Sequence, residues 1–337
     1  MAQGAQEQEG WLLAGWQRSK YDEDAGPSLG VIVNIDRVVV VTGVSSGIGY
    51  GVAKSLIAHQ CHIFGSVRKE ADAKRLQAEF GDFFTPLLFD VTDEQAVNRA
   101  AAEVRSRMKG HYLMGLVNNA GIHVGLDALA DLPLAKLRKQ LDVNLIAQVS
   151  VTQAFLPLLG TDLTLKGKPG KILNMSSIYG SYTLPFCTAY SASKAGLNAM
   201  SEGLRRELKP FGIDVVIIAP GPIQTEIWGD AIRNAEPAEQ KGSVFSEYVR
   251  KARQLSERET SKPGWFWEPS VIGEKIWKIL NSSSTPWPHY VITPNWWLNW
   301  FGPTFFPRDL VDKEVCRRFR LSRPIKRDAS IGSKKEE

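Results

Sequence analysis

From Arg37 onward the apolar positions follow two alternating rhythms, short β-branched runs and longer stretches with helical spacing. Val38-Val39-Val40-Val41 opens the series, and four consecutive valines suit a strand buried on both faces. A helix is expected from about Gly47 to His59. Further strands are expected at His62 to Val67, Pro86 to Phe89, Leu113 to Val117, Lys171 to Met175 and Ile213 to Ile218, with helices between them. After Pro220 the pattern loosens into polar helices (roughly Gln224 to Thr260), then Pro269 to Leu280, then a last strand at Tyr290 to Thr293. Strands separated by helical crossovers imply an α/β fold: one doubly wound, Rossmann-type parallel sheet with helices on both faces. No internal repeat is present. The chain divides into a polar extension over 1–35, packing locally through Trp11 and Trp16; one domain over 36–295; and an aromatic and basic tail over 296–337.

Composition changes this picture little. At 337 residues and 43% hydrophobic content the chain can bury a substantial core. Its net charge of +5 is modest, and much of the excess lies after Arg308 in Arg317, Arg318, Arg320, Arg323, Lys326, Arg327, Lys334 and Lys335. Cys61, Cys187 and Cys316 form no CxxC pair, so neither a disulfide framework nor a thiolate metal site is suggested, and a reducing, cytoplasmic compartment is expected. The acidic N-terminus resembles neither a secretory signal nor a transit peptide. No run of eighteen apolar residues occurs, so no spanning helix is expected.

Chemistry enters directly after the valine strand. Thr42-Gly43-Val44-Ser45-Ser46-Gly47-Ile48-Gly49 opens the first helix, and glycines there let backbone amides and the helix dipole meet a pyrophosphate. A tight turn without a ligand is the competing account, weakened by the strand before the motif and the helix after it. Where the second strand ends, Ser66-Val67-Arg68-Lys69 has no acid to hold a ribose 2′-hydroxyl. Arg68 could instead pair with a 2′-phosphate, which favours NADP(H) over NAD(H), although a solvated strand-end charge would look the same. Asp90-Val91 could border the adenine, but Asp is also a common helix N-cap. Asn118-Asn119-Ala120-Gly121 allows backbone close to a cofactor, or is an ordinary Asn-Gly loop.

Further along, Asn174-Met175-Ser176-Ser177 precedes Tyr190-Ser191-Ala192-Ser193-Lys194. Tyr190 and Lys194 share one face of a helix expected from Thr188 to Lys209. A phenol titrating near 10 is a poor base at neutral pH, so the ammonium and a cationic nicotinamide are expected to depress it. Tyr190 would then exchange a proton with an alcohol or carbonyl oxygen that Ser177 also holds.

With these residues on the page, the chain resembles the short-chain dehydrogenase/reductase family, in its single-domain branch and close to hydroxysteroid and retinol dehydrogenase members. The matches are Thr42-Gly43-x-x-x-Gly47-Ile48-Gly49, Asn118-Asn119-Ala120-Gly121, Asn144, Ser177, Tyr190-x-x-x-Lys194 and Pro220-Gly221-Pro222-Ile223-x-Thr225, in order, over Arg37 to at least Thr293. The resemblance implies a catalytic group of Asn144, Ser177, Tyr190 and Lys194, in which Asn144 holds a water that links Lys194 to solvent. It also implies that Lys194 bonds the nicotinamide ribose, that Pro220-Gly221 faces the nicotinamide, that Ile223 and Thr225 reach it, and that Ser45 lies near the phosphate. Ser46 stands where NADP-using members often carry Lys or Arg. A homo-oligomer paired through the helices bearing Asn144 and Tyr190 is implied by the same likeness. A redox-sensing binding module without turnover, or a membrane-associated lipid carbonyl reductase, would be the alternatives.

Trp228, Phe186, Tyr179 and Tyr182 could wall a site for a small hydrophobic alcohol or carbonyl compound, or simply pack. In the tail, Trp287, Tyr290, Trp296, Trp297, Trp300, Phe301, Phe305 and Phe306 precede the basic run. Such a mixture suits peripheral contact with a membrane interface, while the same residues read, by a small margin first, as a core-capping or dimer-forming tail. No nucleic-acid-binding module is recognisable, and no nucleic-acid partner is expected.

Overall fold

The computed structural model describes residues 34–233, 243–261 and 264–322, apart from the side chains of residues 228, 230, 232 and 233. The expected roles of the N-terminal extension, Trp11 and Trp16, of the distal basic residues, and of the Trp228 side chain lie outside these residues.

Seven strands form one all-parallel sheet: β1 Val38–Val41, β2 His62–Val67, β3 Phe84–Leu88, β4 Gly115–Asn118, β5 Lys171–Met175, β6 Asp214–Pro220 and β7 His289–Ile292. Their order is β3-β2-β1-β4-β5-β6-β7, the doubly wound arrangement expected. The four valines of β1 explain the two layers. Val39 and Val41 join one core with Ile272 and Ile276, whereas Val38 and Val40 join the other with Val151 and Phe155. Alternate side chains point to opposite faces, so an all-apolar strand is what a sheet covered on both sides requires.

The crossovers are α1 Gly47–Ala58, α2 Glu70–Phe80, α3 Glu94–Arg107, α4 Leu134–Leu141 continuing into α5 Ala147–Phe155, and α6 Thr188–Glu207. Beyond β6 come α7 Glu226–Arg233, α8 Ser246–Thr260 and α9 Pro269–Leu280. Strand and helix positions agree with the sequence pattern, with ends displaced by a few residues. The helical run Leu134–Leu159 is long and apolar enough to cross a membrane, against the expectation of none. Its later part belongs to the core, where Val151, Phe155, Leu158 and Leu159 pack with Val38 and Val40 of the sheet.

The segment after β7 packs partly on the domain. A π-helical turn at Trp297–Phe301, α10 Gly302–Phe305 and α11 Arg308–Arg318 follow one another. Phe319 and Leu321, just past α11, pack on a small core of Ala128, Phe186, Val249 and Ala252. Arg318 also pairs with Glu259 of α8 at 3.6 Å.

Candidate active site

A cleft of about 1450 Å³ runs along the C-terminal ends of the strands, where the sheet order reverses between β1 and β4. Ligands of doubly wound sheets bind at that reversal, because the two flanking loops diverge there and leave a crevice. Its first wall is the glycine loop. The Thr42 hydroxyl accepts from the N–H groups of Asn119 and Ala120 at 2.9 and 3.0 Å, and the Asn119 amide donates to the carbonyls of Thr42 and Gly43 at 2.9 and 3.1 Å. Loop and β4 turn are thereby locked together. Gly43 and Gly47 adopt φ of +69° and +57°, and a Cβ on Gly49 would stand 2.1 Å from the Gly43 carbonyl oxygen. Ser46, the N-cap of α1, makes no side-chain capping bond, which leaves the first-turn N–H groups available to phosphate oxygens.

Gly43, Ser45, Ser46, Gly47, Ile48, Arg68, Asp90, Val91, Ala120, Gly121, Pro220, Gly221, Ile223 and Thr225 all line the cleft, as do Ser177, Tyr190 and Lys194. Thr225 reaches across to the phosphate loop, its methyl 3.2 Å from where a Gly47 Cβ would lie. Asp90 accepts from the Thr92 N–H and hydroxyl at 2.9 and 2.7 Å. Burial would raise its carboxyl, but those bonds, with Arg68 and Lys139 nearby, outweigh it and hold the pKa below the usual carboxylate range. The helix cap is Asp93, which accepts from Ala96 N–H, so Asp90 remains facing the cleft.

Two expected cofactor residues and one catalytic residue sit elsewhere. The Asn118 side chain turns inward and donates to Thr152 and Asn174 at 2.9 and 2.8 Å, because a buried amide at a central strand end finds its partners on the neighbouring strand and helix. Gly49 packs on the loop backbone instead of lining the cleft. Asn144 is fully buried in a π-helical turn, Asp142–Ile146, between α4 and α5. Its amide exchanges two hydrogen bonds with the Ile122 backbone, at 2.8 and 3.0 Å, and donates to Ser193 at 3.2 Å. A point 3.4 Å from its Oδ1, at a Gly121 Cβ, is 3.7 Å from the Lys194 Nζ, so it lies near the lysine without bonding to it.

At the reacting end, Ser177 caps a short helical turn and accepts from Tyr179 N–H at 3.2 Å. Lys194 donates to the Met175 carbonyl at 2.7 Å, with its Nζ 5.8 Å from the Tyr190 ring centre. Burial pushes the Tyr190 phenol up to about 12, against a lowering hydrogen bond from Ser177. Burial also brings Lys194 down to about 8. The expected depression of the phenol by Lys194 is therefore absent in the protein by itself: desolvation dominates, and the ammonium is bonded to a carbonyl.

Some residues that support the site carry no motif in the sequence. Arg75 of α2 donates to the Ser45 carbonyl at 2.7 Å and pairs with Asp72, steadying the phosphate loop from outside. Gln140 and Gln148 stand four residues either side of Asn144, and all three amides grip the same stretch of backbone. Gln140 bonds Ile122 and Val124, at 2.7 and 3.0 Å, and Gln148 donates to Ala120 and Val143 at 2.8 and 2.9 Å. Amides at four-residue spacing on one helix are the signal that could have revealed them.

The expected hydrophobic walls are displaced. Phe186 belongs to the core beneath the tail, and Tyr179 and Tyr182 line a separate cavity of about 320 Å³ facing Arg308, Val311 and Val315 of α11. The main cleft is lined instead by Ile122, His123, Val124 and Ile227, of which His123 stacks on the Tyr190 ring. Among the described residues no cluster of His, Cys, Asp or Glu could hold a metal ion.

Fold and site together define an oxidoreductase that uses a nicotinamide dinucleotide on CH–OH or carbonyl groups. Residues 37–236 match the family model for short chain dehydrogenases. The chain belongs to the short-chain dehydrogenase/reductase family. It is 37% identical over 260 residues to an NADPH-dependent 3-dehydrocapnine reductase of Ornithobacterium rhinotracheale, covering 77% of this chain and 88% of that one. Human retinol dehydrogenase 16 is 33% identical over 242 residues, covering 66% and 72%. Among solved structures, a short-chain dehydrogenase from Streptomyces avermitilis superposes with a TM-score of 0.65 at 27% identity, over 85% of this chain and 97% of that one.

Proposed function

We propose that this chain is an NADP(H)-dependent reductase of a small, largely apolar carbonyl compound, with Tyr190 as the proton donor. The observation that carries this reading is the joint placement of Ser177, Tyr190 and Lys194 in the cleft that the glycine loop opens. When bound, the dinucleotide supplies the hydride. Ser177 and Tyr190 hold the substrate oxygen, and a phenol kept protonated by burial is suited to donate as negative charge develops there. Lys194, set by the Met175 carbonyl, faces the cleft as a donor to ribose hydroxyls. Arg68 supplies the cation for a 2′-phosphate, and NADPH is the reductant named for the Ornithobacterium relative.

The test offers NADPH and NADH with a panel of aromatic and aliphatic ketones. Wild type is expected to consume NADPH preferentially, Tyr190→Phe to lose turnover by on the order of a thousandfold, and Arg68→Asp to reverse the cofactor order. Silence on every ketone with intact NADPH binding would favour a binding module, and an active Tyr190→Phe would remove the phenol from the mechanism.

One further observation favours a peripheral membrane contact for a chain we place in the cytoplasm. Trp297, Leu298 and Phe305 are 63%, 76% and 59% exposed, ahead of α11, whose last turn carries Arg317 and Arg318. Pairing of two copies through the helices bearing Asn144 and Tyr190 is supported by the exposed Met200 on the second of them.

A further inference from the structure

Tyr190 does not stand alone against the cleft. The imidazole of His123 lies face to face with its ring, centroids 4.9 Å apart and planes within 13°. His123 is itself buried and comes from the loop that follows β4. Side-chain amides fix that loop on both sides: Asn144 holds Ile122, and Gln140 holds Ile122 and Val124. The ring is fixed as well, since its Nδ1 accepts from the Gly125 N–H at 3.2 Å and so leaves the ring proton on Nε2. Burial holds the imidazole near 4, which keeps it neutral at physiological pH. A phenol ring turns in a broad, roughly two-fold torsional well unless a neighbour limits it. A flat, immobile, uncharged face is well suited to do this without competing with Lys194 as the cation of the site.

We propose that His123 is a positioning residue: by stacking on Tyr190 it fixes the plane of the phenol and hence the direction in which its hydroxyl meets the substrate oxygen. The Gln140 and Asn144 amides act one step behind it, by holding the backbone that carries His123. This rests on the proton-donor reading of Tyr190 given above.

The experiment compares wild type with His123→Phe, which keeps a planar face, and with His123→Leu and His123→Ala, which do not. The first readout needs no substrate. Ring flipping of Tyr190 is followed by NMR in protein carrying ¹³C-labelled tyrosine rings, with Tyr190→Phe identifying the signal. Flipping is expected to be slow in wild type and in His123→Phe, and faster in the Leu and Ala variants. The second readout is turnover of 9,10-phenanthrenequinone with NADPH. Misplacing a reacting group by about an ångström costs up to on the order of a hundredfold, so kcat is expected to fall between tenfold and a hundredfold in His123→Leu. KM for NADPH should stay within about twofold, and the Phe variant should recover the rate. If His123→Ala fails to fold, the space-filling Leu variant decides the matter. Unchanged flipping, or a Phe variant as slow as Leu in turnover, overturns the proposal. An active Tyr190→Phe would instead overturn the underlying reading, so the two failures are told apart.

Discussion

The Lys194 side chain is 4% exposed, and the cost of keeping an ammonium there has a definite pH signature. Its pKa falls from 10.5 to about 8 on folding, because burial disfavours the charged form. Above 10.5 the amine is neutral in both states. As pH drops from 10.5 to 8 the unfolded chain takes up the proton first, so stability declines through that window and levels off below it. The depression corresponds to about 3 kcal/mol. Lys194→Met lacks this term, so its stability relative to wild type, from urea unfolding of the cofactor-free proteins, is expected to rise by roughly that amount between pH 10.5 and 8 and then stay constant. A pH-independent difference would mean that the ammonium is solvated in the folded chain. The penalty persists at neutral pH, where a purely structural side chain would be better replaced by a hydrocarbon.

At the scale of elements, the contact between α1 and α9 is set by the absence of a side chain. A Cβ on Gly51 would approach the Pro269 Cβ to 2.5 Å and its carbonyl carbon to 2.9 Å, and backbone cannot yield as a flexible side chain would. Gly51→Ala is expected to cost about 1–3 kcal/mol by overpacking, measured by urea unfolding; an unchanged midpoint would show that α9 can shift. No sequence pattern announces this contact, because it joins residues more than two hundred positions apart. The same holds for His123, which in the sequence is one histidine in a loop and gains meaning only through the ring it faces. The strands and the glycine loop were readable because each expresses a local rule, two-sided burial in Val38 to Val41 and close backbone approach in Gly43 to Gly49. Asn144 was readable as a position but not in its geometry. The π-helical turn that holds it is accompanied by a Gln148 amide that donates both to the Val143 carbonyl and, across the fold, to Ala120, a tertiary arrangement.

For the molecule as a whole, the segment after β7 has two characters. Phe319 and Leu321 close onto the domain, while Trp296, Trp297, Leu298, Phe305 and Phe306 form an exposed aromatic and apolar ridge. Aromatic rings beside Arg and Lys favour the headgroup layer of a bilayer. Full-length protein is expected to float with vesicles containing anionic lipid, and to do so less as salt is raised, whereas a chain ending at Thr293 should remain in the dense fraction. Equal behaviour of the two would assign the ridge to another contact, such as a second copy.

The reversal of strand order has a mechanical meaning. Within the sheet, β1 to β3 are tied to β4 to β7 only by the short ladder of Val39, Val40 and Val41 on Gly115, Leu116 and Val117. Arg68 and Asp90 belong to one side of that joint, Tyr190 and Thr225 to the other, and a dinucleotide stretched between them would rivet the two. Loading at a hundred times Kd, worth about 2.7 kcal/mol, should therefore delay the melting of both halves together, making the cofactor a structural member of the molecule as well as its reagent.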